Sequence, residues 1–123
     1  PQTPLQKLND MFFTYHGRLN RKPFILRGLL LGVLSLLIST VMEAIADSTS
    51  TASDFVALLL LLAIIVICVA SIMLTIRRWH DLGLTGWLTL LSLIPGVNFF
   101  VGIFLWVKKG TDGSNKYGED PLA

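Results

Sequence analysis

FVALLLLLAIIVICVASIMLTI, residues 55 to 76, contains no charged residue, no glycine and no proline. At about 1.5 Å of rise per residue it reaches roughly 33 Å as a helix, enough to cross a hydrocarbon core of about 30 Å. In lipid no water is at hand for the backbone, so each N–H and C=O must find a partner inside the segment, and a helix provides one. Two runs of the same length flank it: FILRGLLLGVLSLLISTVMEAI, residues 24 to 45, and GWLTLLSLIPGVNFFVGIFLWV, residues 86 to 107.

Composition agrees. Of 123 residues, 53% are hydrophobic and 15% charged, and the mean hydropathy is +0.67. A soluble domain carries about 25% charged residues, because its surface faces water. The net charge of +2 is too small and too dispersed for nucleic acid. Cys68 is the lone cysteine, which excludes an intrachain disulfide and a multi-cysteine metal site. The fold class implied is an all-α integral membrane protein in one domain, residues 1–123. Residues 1–23 form a cytoplasmic and interfacial segment, 24–45, 55–76 and 86–107 are membrane helices, and 108–123 are a polar tail. Within the first segment, LQKLNDMFFTY, residues 5–15, places Leu5, Leu8, Phe12 and Tyr15 on one face, as a short interfacial helix does. The apolar stretch at 24–45 exceeds the roughly 7 to 15 residues of a signal-peptide core, so it is read as a retained span.

Lysine and arginine set the orientation. Lys7, Arg18, Arg21, Lys22 and Arg27 flank the start of the first run, and Arg77 and Arg78 follow the second. The loop ADSTSTASD, residues 46–54, has only Asp47 and Asp54. The positive-inside rule places the N-terminus and the 77–85 loop in the cytoplasm and the 46–54 loop outside. The third run is less simple. Its length favours a full crossing as a Pro-kinked helix, with Pro95 freeing the carbonyl of Leu91. That crossing leaves Lys108, Lys109 and Lys116 outside. A re-entrant course, turning at Ile94-Pro95-Gly96-Val97-Asn98, returns them to the inside but needs shelter within protein.

The first run carries small residues at Gly28, Gly32, Ser35 and Ser39, spaced four, three and four apart, on one helical face. The G-x-x-x-G pair lets another backbone approach closely. The second run has a matching stripe, Cys68, Ser71, Thr75 and Arg78. Packing of these two faces on each other is the expected arrangement.

Three polar motifs gather on the cytoplasmic side: GRLNRKPF at 17–24, RRWHDLGLTGW at 77–87 and GTDGSNKYGEDP at 110–121. Trp79 and Trp87 suit the headgroup level, and Thr85 suits the N-cap of the third apolar run. Asp81 is the only acid in the 77–85 loop and has Arg18, Arg21, Arg77 and Arg78 as possible partners. His80 and Asp81 are adjacent, so on a helix they point about 100° apart and do not pair. No G-x-S-x-G, H-E-x-x-H or C-x-x-C spacing occurs. A catalytic site, a metal site and a cofactor are therefore not expected.

Together these motifs resemble the small bacterial inner-membrane family known as domain of unknown function 805. The likeness runs from Gly17 to Pro121. Gly17, Arg18 and Arg21 match its Gly-Arg-x-x-Arg, and Arg77, His80, Asp81, Gly86 and Trp87 match its Arg-x-x-His-Asp with Gly-Trp. Pro95 matches the proline of the third run. Gly110, Thr111, Gly113, Asn115, Tyr117, Gly118, Asp120 and Pro121 match the tail. The family pattern has an acidic residue where Pro23 stands and a tryptophan where Ile25 stands. The resemblance implies a bacterial inner-membrane protein and brings no established activity.

The sequence supports three functional readings. The leading one is a non-enzymatic protein that packs through Gly28, Gly32, Ser35 and Ser39 on copies of itself or on a membrane partner. The alternative is transport or binding of a small anion or anionic phospholipid through Arg77, Arg78 and His80, within a polar cluster that also takes in Arg18, Arg21, Asp81, Asn115 and Tyr117. The third is an enzyme acting on a lipid-linked substrate.

Overall fold

The uncharged run at 55–76 is the middle of a longer helix. A computed structural model describes residues 1–122. In it α1 spans Pro4–Phe12, α2 Arg21–Ile45 and α3 Thr51–Asp81, followed by a 3-10 helix over Gly86–Leu93 and α4 over Val97–Val107. Among the described residues the fold is all-helical, with a single isolated bridge between Asn115 and Gly118 in the tail. Both α2 and α3 are long and apolar enough to cross a membrane. Their outer faces are apolar too: Leu36, Phe55 and Leu58 are each more than half exposed. Such a surface is costly in water and free of cost in lipid.

α1 opens with Thr3, whose hydroxyl accepts from the Gln6 amide at 3.2 Å while Gln6 Oε1 accepts from the Thr3 amide at 2.9 Å. Two of the helix's free amides are thereby satisfied. Phe12 closes α1 and enters a core with Leu19, Leu31, Ala70 and Leu74. α2 and α3 are joined by a short loop, and Leu31 near the start of one meets Leu74 near the end of the other, so they run antiparallel.

Their seam has a seven-residue rhythm. On α3 the shielded positions include Ser53, Ala57, Leu60, Ile64, Ile67, Ser71, Leu74 and Arg78; on α2 they include Leu31, Ser35, Ile38, Met42 and Ile45. Steps of four and three keep one face toward a partner helix crossing at about 20°. The expected pairing of two small stripes is not what forms. Gly28, Gly32 and Ser39 are exposed, a methyl group on either glycine would meet nothing within 4 Å, and Cys68 is exposed. Of the two stripes, Ser35, Ser71 and Arg78 lie on the seam. The Thr75 hydroxyl bonds the Ser71 carbonyl of its own helix at 2.8 Å.

α3 also outlasts its apolar run. The residues expected in a 77–85 loop continue the helix to Asp81, so Arg77, Arg78, His80 and Asp81 occupy its last turn.

The run 86–107 is not one helix, whether straight or kinked. After Leu93 the chain is extended at Ile94, and Gly96 takes φ +85° before α4 begins. Pro95 disfavours helical geometry at Ile94 and has no N–H to donate, and the positive φ at Gly96 completes the reversal. The 3-10 helix and α4 then each reach roughly 16 Å, half a hydrocarbon core. Both ends of the run return to the same end of α3. Gly86 lies against Ile76 and His80, and the carbonyls of Leu105 and Lys108 meet Arg78. The run is a helical hairpin, which overturns the expectation of a full-length third helix.

Gly86 is what allows the first leg to lie so close: a Cβ there would come 2.6 Å from Ile76 Cγ2. Gly86→Ala is expected to displace the hairpin and lower the detergent unfolding temperature, whereas Gly28→Ala is expected to be neutral or to stabilise by up to about 1 kcal/mol through helix propensity. Thermal unfolding of the two variants side by side checks this contrast.

Candidate functional site

Arg77, Arg78, His80 and Asp81 leave the last turn of α3 in different directions, with Asp81 about 60° from Arg78. Arg77 turns to α1: its Nη1 donates to the Asp10 carbonyl at 2.8 Å and Nη2 to the Met11 carbonyl at 2.6 Å. Arg78 turns to α4, donating from Nε to the Leu105 carbonyl at 2.8 Å and from Nη2 to the Lys108 carbonyl. Its Nη1 reaches the Leu19 carbonyl at 3.3 Å and Asp81 Oδ2 at 2.6 Å. His80 faces the N-terminal segment, with Nδ1 3.0 Å from the Gly17 carbonyl.

Asp81 takes the fourth direction and is the centre. Oδ2 pairs with Arg78 and Oδ1 with Arg18 Nε at 3.0 Å. Arg18 continues outward, donating to the carbonyls of Thr111 and Gly113, both at 2.6 Å, and to that of Gly118 at 3.4 Å. The Asp81 backbone carbonyl accepts from Thr111 N at 2.7 Å, and Asn115 Nδ2 donates to the His80 carbonyl at 2.9 Å. One carboxylate therefore ties together the 17–20 segment, α3, the end of α4 and the tail.

Burial makes this network consequential. Arg78 is 0% exposed and Asp81 2%. Two guanidiniums share one carboxylate, and carbonyl dipoles offset the second positive charge. Several belong to helix C-termini, the negative end of the helix dipole: Leu105 and Lys108 for Arg78, and Asp10 and Met11 for Arg77. Arginine suits this because its planar fork fixes five donors that stay charged. Within the tail, Asp120 accepts from the amides of Gly113 and Leu122, both at 2.9 Å. Those two donors hold its carboxyl below the usual aspartate range.

Of the residues singled out in sequence, Arg18, Arg78 and Asp81 form one knot. Arg77 stands apart on α1, and Arg21 is exposed, with a bond from Nη1 to the Val107 carbonyl at 3.0 Å. Asn115 positions the tail, its Oδ1 accepting from Tyr117 N at 2.8 Å. His80 and Tyr117 stack face to face, with centroids 3.9 Å apart. Gly28, Gly32, Ser35 and Ser39 lie away from the knot on α2. Sequence reading missed the acceptors, since any residue supplies a carbonyl. It also missed Gly110, where a Cβ would stand 2.0 Å from Asp81 Oδ2. Among the described residues no three His, Cys, Asp or Glu side chains gather as metal ligands.

The family model described as protein of unknown function DUF805 matches residues 12–119. Inner membrane protein YhaI of Escherichia coli K12 is 42% identical over 48 residues, covering 39% of this chain and 41% of that protein. Inner membrane protein YhaH of the same strain is 40% identical over 45 residues, 37% of each chain. The chain thus spans about two-fifths of the length of these curated relatives. No solved structure matches it.

Removing one partner of a buried ion pair leaves an uncompensated charge and costs about 3–5 kcal/mol. Asp81→Ala is expected to lose about that much in reversible unfolding from detergent micelles, and Lys109→Ala, in an exposed pair with Asp112, to lose less than about 1 kcal/mol.

Proposed function

The chain belongs to the DUF805 family, and on that premise we propose a two-crossing bacterial inner-membrane protein, not an enzyme, that acts by packing against another membrane chain. α2 and α3 cross the bilayer, and the 86–107 hairpin enters from the cytoplasmic side and returns. The observation behind this topology is that both ends of the hairpin meet the same end of α3. With that course the N-terminal and tail basic residues, Lys108, Lys109 and Lys116 included, lie on the knot side, and the 46–50 loop has only Asp47. The positive-inside rule then makes the knot side and both ends of the described chain cytoplasmic. α3 lies along the first leg of the hairpin and α2 along the second, while residues 93–100 around its turn are exposed.

The open face of α2 carries the functional reading. A Cβ added at Gly28 or Gly32 would meet nothing within 4 Å, and the two glycines border a groove of about 340 Å³ with Phe24 and Trp106 at its walls. The fold is complete without covering this face, and small residues in a membrane helix admit a partner's backbone. A second copy or another membrane protein fits there.

The anion reading draws less support. Arg77 and Arg78 direct their donors to backbone carbonyls, so contact with lipid phosphates falls to the exposed Arg21, Lys22 and Lys109, at about 1 kcal/mol each near an anionic surface. The reading as an enzyme on a lipid-linked substrate rests on His80 and Asp81, and of these Asp81 is buried between two guanidiniums.

Two measurements check these statements. With Cys68→Ser as background, Lys116→Cys is expected to react with a membrane-impermeant maleimide only after permeabilisation, and Ser48→Cys in intact cells; labelling of Lys116→Cys from outside overturns the topology. Gly28→Leu with Gly32→Leu is expected to reduce cross-linking between differently tagged copies, or to a captured partner, several-fold while leaving the unfolding temperature unchanged. Undiminished cross-linking overturns the packing role.

A further inference from the structure

His80 and Tyr117 stand out from the knot, because their rings build something the arginines do not use. With Tyr15, His16, Thr85 and Trp87 they line a cleft of about 400 Å³, within the range of small-molecule sites. Its floor reaches Ile76, the last residue of the apolar run, which places the cleft at the level where a bilayer changes from hydrocarbon to headgroup.

Its chemistry is specific in two respects. The walls are aromatic: His80 and Tyr117 stack in parallel at 3.9 Å with 5° between planes, and Tyr15 lies 4.0 Å from the His16 ring. Trp87 is 78% exposed, so one large amphipathic ring stands open to a ligand at the interface. The second respect is an unpartnered acceptor on His80. A carbonyl oxygen only accepts, so His80 Nδ1 carries the proton it shares with Gly17. In the neutral imidazole, Nε2 is then a lone-pair acceptor. That nitrogen lies beside Gly86, 3.3 Å from where a Cβ would stand, and Gly86 is itself part of the cleft wall. Nε2 has no hydrogen-bond partner among the described residues.

We propose that this cleft binds a lipid with a hydroxyl-bearing aromatic head group, of the quinol class. The ring lies against the Trp87, Tyr15 and Tyr117 side chains, a ring hydroxyl donates to His80 Nε2, and the apolar tail descends into the bilayer past Ile76. A head group that only accepts hydrogen bonds finds no donor at Nε2, so the reduced ring gains one bond there that its oxidised quinone lacks. An aliphatic polyol head makes the hydrogen bond and forgoes the aromatic faces, each worth a further increment in binding.

The test uses the full chain in nanodiscs of zwitterionic phospholipid, with three probes: a decyl-chain hydroquinone, its oxidised quinone and decylglycerol. Binding of each probe is read by isothermal titration calorimetry. The wild type is expected to bind the hydroquinone about tenfold more tightly than the quinone, the worth of one hydrogen bond, and more tightly than decylglycerol. His80→Asn keeps a donor for the Gly17 carbonyl and removes Nε2, so the preference for the reduced form is expected to fall to about one. Trp87→Ala and Tyr15→Ala, at exposed positions, are expected to weaken both ring compounds alike, and they decide the matter should His80→Asn fail to fold. Equal binding of quinone and hydroquinone by the wild type overturns the role of Nε2. Equal binding of decylglycerol, or wall variants that bind as the wild type does, overturns the aromatic site.

Discussion

Asp81 between Arg78 and Arg18 is the interaction on which the remaining architecture depends. A carboxylate 2% exposed and a guanidinium 0% exposed cannot both be removed from water cheaply, so each demands the other and a full set of hydrogen bonds. Arg78 finds carbonyls at Leu19, Leu105 and Lys108, and Arg18 finds them at Thr111, Gly113 and Gly118. These acceptors lie on segments far apart in the chain. Satisfying three charged groups thus specifies where the N-terminal segment, the hairpin and the tail must sit. Lipid supplies no comparable force, because apolar surfaces gain little by leaving lipid for one another.

The hairpin shows how this constraint and local chemistry combine. Pro95 and Gly96 end one helical leg and turn the chain, but a turn alone does not say where the second leg goes. The carbonyls left unpaired at the end of α4 are the ones that Arg78 and Arg21 take up. Helix end and cation complete one another, and this holds a pair of half-length helices beside α3 instead of one full-length span.

Adjacent residues of one helical turn do different work here because they point in different directions. Arg77 anchors α1, Arg78 and Asp81 hold the hairpin and tail, and His80 shapes a separate aromatic cleft. In sequence they form one dense polar cluster, and that density suggests a single site. The structure divides it into three.

Much of this was legible in the chain itself. The apolar runs at 24–45 and 55–76 predict helices because a chain in lipid has few other ways to satisfy its backbone, and Thr85 and Pro95 mark a cap and a break through properties of their own side chains. The partnership of Asp81 with arginines was also readable, since it is the only acid at 77–85 and has four of them as possible partners. What tertiary structure alone decided were relations between distant segments: that α2 turns Leu31 and Ile38 to α3 and leaves Gly28 and Gly32 open, that the third run returns to its starting side, and that the guanidiniums end on backbone carbonyls. Carbonyls are the same at every residue, and a helix with apolar residues all round has no face marked in its sequence for its neighbour. Only the packed chain shows which ones are used.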